Sequence, residues 1–431
     1  MFTFIKNAFT NKSIRRSLLF TFFILAIFRL GSHVPVPGVN AQALRTISNS
    51  GILGLLNTFG GGALQRFSIF AMGVSPYITA SIIVQLLQMD LIPTFTEWAN
   101  QGEVGRRKLN QATTYLAIII GFIQSYGMAF SFNQLAGLGL VNNPGLQTYS
   151  IIALILTAGT MFLVWLGEQI TRNGVGNGLS MIIFAGIVAQ VPQDVYRYVK
   201  SSLLNASGDQ FNRNLIIFAG IVLAVVIGII IVVIMEQAQR RIPIHYSKKV
   251  SGSRYVAHLP LKINSAGVIP VIFATSFMTL PQTIFAFMDT SNPGPIMKFF
   301  MEVFNLQSPV GVAFYTVLLI AFTYFYSLIQ VNPEKVAENL QKQSGYIPSV
   351  RPGNDTEVFL TKTINRLSFV GALYLTLIAI IPILAGMIWK VPTSMALSGT
   401  SLLIVVGVGI ETAKQIEGQM LRRRYKGFLY L

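Results

Sequence analysis

Residues 50–90 read SGILGLLNTFGGGALQRFSIFAMGVSPYITASIIVQLLQMD and contain the pattern that decides the fold. The stretch begins with a short apolar helix candidate, Gly51–Phe59. At about 1.5 Å per residue, this helix would reach less than half of a hydrocarbon core of about 30 Å. Three glycines, Gly60–Gly62, end it, and a second apolar run of spanning length follows but is interrupted near its start by Gly73 and Pro76. A half-length helix tied by glycines to an interrupted spanning helix predicts a movable stopper beside a passage.

The composition of the 431-residue chain is that of an integral membrane protein. Hydrophobic residues make up 52% and charged residues 11% of the chain, and the mean hydropathy is +0.60. A soluble fold could not cover so much apolar surface. Residues 1–10 and the apolar run after them lack a small-residue cleavage site, so we interpret this start as part of the mature chain. The absence of cysteine excludes disulfides and thiolate chemistry.

Ten apolar runs have the length of a membrane span, and an even number of spans puts both termini on one side. Most of the 32 Lys and Arg residues then fall on the side of the termini, and the positive-inside rule predicts that this side is cytoplasmic. The runs are 17–34, 67–90, 113–135, 149–169, 178–199, 214–235, 263–287, 310–330, 367–388 and 394–413.

Two of the predicted inside loops, 236–262 and 331–366, are long and basic. Two interpretations of their charge stay open. The charges can serve only to fix topology, or they can form a docking surface for a large anionic partner such as RNA phosphates or an acidic protein. Loops of this length exceed what topology requires, which favours the docking surface.

A short motif occurs twice in the chain. GVSPYITAS at Gly73–Ser81 and GVIPVIFAT at Gly267–Thr275 share the pattern G-V-x-P-x-I-x-A followed by Ser or Thr. A weaker match relates GLSMII at Gly178–Ile183 to GTSLLI at Gly399–Ile404. The matches fall in the second and fifth helix of each set of five. Because five is odd, the two sets would insert in opposite orientations, which is the inverted-repeat arrangement.

The repeat predicts an all-α membrane protein built from two five-helix halves. The first half is 1–200, which contains helices 1–5 and the segment 51–62, and the second is 201–431, which contains helices 6–10 and both basic loops. If the halves face each other, four repeated isoleucines converge near the centre: Ile78, Ile272, Ile183 and Ile404. Any one of them could instead be an ordinary core or lipid-facing side chain.

The sequence lacks the motifs of several enzyme classes, and we predict no catalytic residue, metal ligand or cofactor. It contains neither a P-loop nor a zinc-protease H-E-x-x-H motif. Glu168, Glu411 and Asp90 lie near predicted helix ends, so no acid stands near mid-membrane as in a proton- or sodium-coupled transporter. A secondary transporter of small solutes and a structural scaffold stay open as alternatives, although the scaffold leaves the stopper-like segment without a role.

Six specific stretches, in order along nearly the whole chain, resemble the SecY/Sec61-alpha family of protein-conducting channels. Within them Ser349 stands where this family often has glycine, and Gly60 where it often has serine. The stretches are RLGSHVPVPG (29–38), FGGGALQRFSIFAMG (59–73), GEVGRRK (102–108), GEQITRNGVGNG (167–178), HLPLKINSAGVIP (258–270) and IPSVRPG (347–353).

The resemblance implies an hourglass-shaped channel with a pore ring, a plug helix and a lateral gate between helices two and three on one side and seven and eight on the other. The implied pore ring is Val74, Ile78, Leu179, Ile183, Ile272 and Ile404. The implied plug and hinge are Gly51, Leu53, Leu55, Leu56, Phe59, Gly60, Gly61 and Gly62. The implied lateral-gate residues are Thr79, Ile82, Gln85, Thr275 and Ser276.

The resemblance also implies partners. Secretory polypeptides would cross the bacterial cytoplasmic membrane through the channel, membrane-protein helices would leave it sideways into lipid, and a signal sequence would open it. Energy would come from the SecA motor or the ribosome, and SecE and SecG would be small membrane subunits. The implied docking residues lie on cytoplasmic loops: Arg106, Arg107, Lys108, Arg240, Arg241, Lys248, Lys249 and Arg351.

Overall fold

The computed structural model describes residues 11–39, 60–88, 92–136, 141, 144–200, 209–246, 257–285, 294–389 and 399–428. Within these residues, each of the ten predicted spans contains an α-helix, and three shorter helices lie between them. The helices are α1 (Lys12–Gly31), α2 (Ser75–Leu87), α3 (Pro93–Asn100), α4 (Gly102–Ala136), α5 (Leu146–Asn173), α6 (Gly178–Tyr198), α7 (Asp209–Gln237), α8 (Ile269–Phe285), α9 (Pro295–Val303), α10 (Pro309–Gln330), α11 (Pro333–Lys342), α12 (Asn354–Trp389) and α13 (Gly399–Phe428).

Several helices begin where the sequence supplies a cap. The side chain of Ser308 accepts a hydrogen bond of 2.9 Å from the backbone N–H of Gly311 at the start of α10. Asn332 does the same for Lys335 at the start of α11, at 3.1 Å. A proline follows each cap at the first helical position, where its missing N–H leaves no bond unmade.

The apolar surface of the bundle is that of a multi-pass membrane protein. Among the described residues, six helical runs are long and apolar enough to cross a membrane. The most apolar of them, within α7, is also the least buried against the rest of the protein, as lipid contact requires. Helices α2 and α8 are shorter, because each begins only at the third residue of the repeated Gly-Val-x-Pro motif.

The prediction that the second span is helical from residue 67 is wrong in its first third, because α2 begins only at Ser75. Phe67 and Gly73 have φ angles of 40° and 56°, in the left-handed region that a right-handed helix excludes. Pro76 lies at the start of α2 rather than inside a helix, so its ring causes no kink.

Residues 60–74 form a buried loop that is held by backbone hydrogen bonds. The N–H of Val36 donates to the carbonyl of Phe67 at 2.9 Å, and the N–H of Ile69 donates to the carbonyl of Val34 at 3.0 Å. The strand-like segment after α1 thus supplies hydrogen-bond partners for backbone groups of this loop. In a helix, these groups would bond to other backbone groups of the same helix.

Both copies of the repeated motif have the same backbone geometry. Gly73 has φ 56° and Gly267 has φ 63°, and each helix begins two residues later. In both cases a glycine in the left-handed conformation therefore lies two residues before the start of the helix. This likeness agrees with the predicted repeat, whereas the division into halves at residue 200 stays a prediction.

The two long basic loops fold together as one small body. Strand β1 (Gln239–Tyr246) pairs antiparallel with β2 (Ala257–Lys262) and with β3 (Gly345–Tyr346), which gives the order β2-β1-β3. Their shared core includes Ile242, Leu261, Ile347 and Leu360. After β3, Ser349 has φ 67°, a conformation that glycine adopts more readily than serine.

Candidate functional site

The structure brings the six predicted ring residues into one hydrophobic cluster. Val74, Ile183 and Ile404 are buried in this cluster, and Ile78, Leu179 and Ile272 pack against it partly buried. They come from α6, α8, α13 and from α2 with the residue before it, so both predicted halves contribute. Their role as a pore ring stays a prediction.

A narrow cavity of about 40 Å³ lies beside this cluster. A single water molecule needs roughly 10–15 Å³ of such space, so the constriction has room for only a few waters. Its lining offers no charged side chain among the described residues, and its polar atoms are few. The lining residues are Gly60, Met72, Gly73, Val74, Ser75, Ile78, Ile183, Ile272, Thr275, Ser276, Thr279, Leu306 and Ile404.

The predicted lateral gate is a packed seam between α2 and α8. Thr79 and Ile82 on α2 are buried, as are Thr275 and Ser276 on α8. The hydroxyl of Thr79 donates to the carbonyl of Ser75 at 3.2 Å, and that of Thr275 donates to the carbonyl of Val271 at 2.9 Å. Both hydroxyls are thus satisfied within their own helix, and the seam can separate without breaking these two bonds.

The remaining predicted gate residue, Gln85, is only partly buried near the end of α2. Its side-chain nitrogen donates to the hydroxyl of Ser81 at 3.2 Å. This bond also lies within one helix. The gate role of all five residues stays a prediction.

Aromatic contacts join α8 to α10 on the far side of the seam. The ring of Phe273 lies 6.0 Å from that of Phe322 and 5.9 Å from that of Tyr326, in edge-to-face geometry. Phe277 contacts Phe322 at 6.3 Å and Phe304 at 6.4 Å. Such pairs stabilise the contact beyond the area they bury, so α8 and α10 are expected to move as one unit.

The glycine segment Gly60–Gly62 reaches the cavity at its first residue. Gly60 lines the cavity, and Gly61 and Gly62 have φ angles of 65° and 82°. These angles explain the glycines, because other residues are strained in this region. The predicted plug residues, Gly51 to Phe59, lie outside the described residues.

The turn between α5 and α6 connects the first helix to the last. The N–H of Val175 donates to the hydroxyl of Thr21 on α1 at 3.0 Å, and the N–H of Gly176 donates to the side-chain oxygen of Gln415 on α13 at 2.7 Å. This glycine-rich turn is therefore a structural junction between α1, α6 and α13.

Arg240, Arg241 and Arg351, three of the predicted docking residues, are exposed on the small sheet body. The two neighbouring arginines belong to β1, and Arg351 follows β3. The carbonyl of Arg351 accepts a hydrogen bond from the hydroxyl of Thr356 at 2.8 Å, which fixes the backbone and leaves the guanidinium outside. Lys248 and Lys249 lie outside the described residues.

The expectation that Arg106, Arg107 and Lys108 lie on a loop is wrong, because α4 begins at Gly102 and includes them. Arg and Lys favour helices, so α4 begins well before the apolar run 113–135. The ammonium of Lys108 lies 5.7 Å from the ring centre of Trp98 on α3. Arg106 and Arg107 line a polar groove together with Glu103, Asn110 and Arg172.

Sequence reasoning missed Arg172, which belongs to the quoted GEQITRNGVGNG stretch but carried no separate signal. Its guanidinium lies 3.6 Å from the carboxylate of Glu168. Both side chains are largely exposed, so this ion pair contributes little to stability. Within the described residues, no group of three or more His, Cys, Asp or Glu side chains could hold a metal ion.

The helical bundle, its aliphatic constriction and the gate seam beside it define a multi-pass membrane protein of the channel type. The SecY family model matches residues 68–413. The protein translocase subunit SecY of Bacillus subtilis is 51% identical over 433 residues, which cover 100% of both chains. The SecY 1 subunit of Lactobacillus kefiranofaciens is 49% identical over 430 residues, again 100% of both. The chain belongs to the SecY family.

Solved structures show the same fold at low sequence identity. A structure described as a protein-conducting channel has a TM-score of 0.68 at 16% identity and covers 94% of this chain and 92% of its own. Sec61 in a canine ribosome-channel complex has a TM-score of 0.64 at 16% identity, with the same coverage. The ten-helix architecture is thus shared with these channels.

Proposed function

We propose that this protein is the channel through which unfolded secretory polypeptides cross the cytoplasmic membrane and membrane-protein helices pass sideways into lipid. The observation that carries the proposal is the convergence of six aliphatic side chains in one cluster, five of which line one narrow cavity. Relatives about half identical over their full length are named protein translocase subunits, which supports the same role here. The chain itself would act without catalysis.

An aliphatic constriction suits a polypeptide channel for physical reasons. Its side chains offer ions no ligands and disfavour a continuous water column, so the constriction can close by dewetting. Methyl and methylene groups also make no sequence-specific contacts, so the ring can fit around a chain of any sequence. Val74, Ile78, Leu179, Ile183, Ile272 and Ile404 would act as this ring.

The seam between α2 and α8 would serve as the lateral gate. A signal sequence has an apolar stretch of roughly 7–15 residues. Its transfer from water to lipid is favourable by roughly 25 cal/mol per Å², so it would settle between Thr79 and Thr275 and stabilise the separated helices. A polypeptide without such a stretch binds both states alike and cannot shift their equilibrium.

Partners would supply the energy and complete the assembly. The SecA motor or the ribosome, through its rRNA, would dock on the exposed arginines of the sheet body, which would face the cytoplasm together with both termini. Basic side chains favour phosphate and acidic surfaces. SecE and SecG would be small membrane subunits. The similarity to channels solved in ribosome complexes supports the ribosome among these partners.

Reconstitution tests the proposal directly. The purified chain, with small membrane subunits and an ATP-driven motor in vesicles, is expected to move a secretory polypeptide into a protease-protected space. The same polypeptide without its apolar signal stretch should stay accessible. Protection of neither polypeptide, or flux of a small solute in its place, would contradict a polypeptide channel.

Arg351→Glu is expected to reduce motor-driven translocation at least tenfold while leaving membrane insertion intact. The guanidinium is exposed and its backbone is held independently by Thr356, so the substitution reverses a surface charge without disturbing the fold. The loss of a buried charge contact at an interface costs roughly 2–5 kcal/mol. ATP-dependent protection of a secretory polypeptide measures the effect.

Lys335→Glu provides the matched control for this experiment. Lys335 is exposed on α11 of the same body, so its reversal changes the net charge equally. We expect near-normal transport with this variant. Normal transport by Arg351→Glu, or an equal loss in both variants, would contradict a specific docking role.

A further inference from the structure

The glycine segment Gly60–Gly62 sits in a close-fitting socket between α1 and α6. A Cβ atom on Gly61 would lie 3.0 Å from the Cα atom of Gly186 on α6, and 3.6 Å from Nη1 of Arg29 on α1. The backbone of the segment therefore touches both helices directly.

Arg29 holds the segment from the side of α1. Its Nη1 donates a hydrogen bond of 2.7 Å to the carbonyl oxygen of Gly61. Hydrogen bonds from a charged donor are shorter and stronger than neutral ones. The carbonyl of Arg29 accepts in turn from the hydroxyl of Ser32 at 2.7 Å, so the arginine is itself anchored at the end of α1.

Gln190 faces the segment from the side of α6. Its side chain is only 5% exposed, and its Oε1 atom has no hydrogen-bond partner among the described residues. This oxygen lies 3.5 Å from the position of a Cβ atom on Gly62. An acceptor that is buried and unpaired destabilises the arrangement that contains it. The socket thus has one group that holds the segment and one that weakens the hold.

We propose that Arg29 is the positioning residue that latches the glycine segment in the closed channel and that the unpaired Gln190 opposes it. The inference rests on the proposed function, because the latched segment connects to the proposed plug. A simple role for Arg29 in capping α1 would be the alternative, since cations are favourable at helix C-termini. The substitutions below separate these roles, because a latch predicts a higher resting conductance for changes at Arg29 and no increase for a change at Gln190.

Arg29→Gln is expected to raise the resting ion conductance of the channel in planar bilayers about tenfold, because Gly61 loses its charged donor. Arg29→Lys should give a smaller increase, since lysine keeps the charge but lacks the planar fork of donors. Gln190→Leu should leave the conductance at or below the parent value, because an apolar side chain removes the unpaired acceptor. Arg213→Gln, on an exposed arginine of α7, is the matched control with no expected change.

Parent-like conductance of Arg29→Gln, or an equal increase in Gln190→Leu, would overturn the latch. If Arg29→Gln does not assemble, the lysine variant decides, and parent-like conductance there would also overturn it. A capping role would lower the thermal stability of the arginine variants without changing conductance. Because conductance is measured without polypeptide, failure of the parent to translocate would count against the proposed function alone.

Discussion

Ile183→Asn is expected to raise the resting conductance of the channel about ten- to a hundredfold. The side chain is 5% exposed and lines the narrow cavity with Ile78, Ile272 and Ile404. Burying such a side chain is favourable by about 1.5–3 kcal/mol. Because about 1.4 kcal/mol corresponds to a factor of ten in an equilibrium constant, this free energy gives the expected ten- to hundredfold rise in conductance. An amide in its place hydrogen-bonds water and favours the wetted state. Planar-bilayer recordings measure the change.

Two variants on the same helix control for general damage to α6. Ile183→Leu keeps an aliphatic side chain of equal size at the cavity and should conduct like the parent. Val188→Asn introduces the same amide on an exposed position and should also leave conductance unchanged. If Asn at Ile78, Ile183 and Ile404 each gives parent conductance, the constriction is not the seal.

A crosslink between Leu55→Cys and Ile78→Cys is expected to reduce translocation more than tenfold, and a reductant should restore it. Leu55 lies five positions before Gly60, which lines the same cavity as Ile78. Five residues of chain span at most about 17 Å, which limits the distance from Leu55 to Gly60, and a disulfide or a short bismaleimide is used to join the two cysteines. A passing polypeptide needs the space that the tethered segment would keep filled.

The chain offers a clean background for this experiment, since it contains no cysteine. Each single-cysteine variant under the same oxidising conditions should transport like the parent. Unchanged transport through a fully crosslinked channel would mean that the segment does not have to move.

The helical fold could be predicted from the sequence because apolar runs of spanning length are a strong signal. All ten runs contain a helix, and the two copies of the Gly-Val-x-Pro motif adopt the same backbone turn. The start of α2 could not be predicted, because residues 67–74 are as apolar as a segment of a membrane-spanning helix. Their hydrogen-bond partners lie in the segment after α1 at Val34 and Val36, which no local pattern reveals.

The site shows the same limit. The repeated isoleucines were identifiable because two halves supplied them in matching register. By contrast, Leu306 reaches the cavity from the connection before α10, and no repeat or motif marks it. Arg29 was visible only as a basic residue in the last turn of α1, and Gln190 only as a polar residue within α6. Their proposed roles depend on the distance from Arg29 to the carbonyl oxygen of Gly61 and from Gln190 to the backbone of Gly62. A hydropathy pattern contains no information on such distances.

The junction at the α5–α6 turn has a consequence for the order in which the protein is made. The partner of the Gly176 N–H is Gln415, which follows 239 residues later. At about 5–20 residues per second, synthesis of that interval takes about 10–50 s. For nearly all of this time Ile404 is also missing from the cluster that contains Val74. The nascent first half must therefore wait, with its aliphatic constriction unsealed, until the last helix has been inserted.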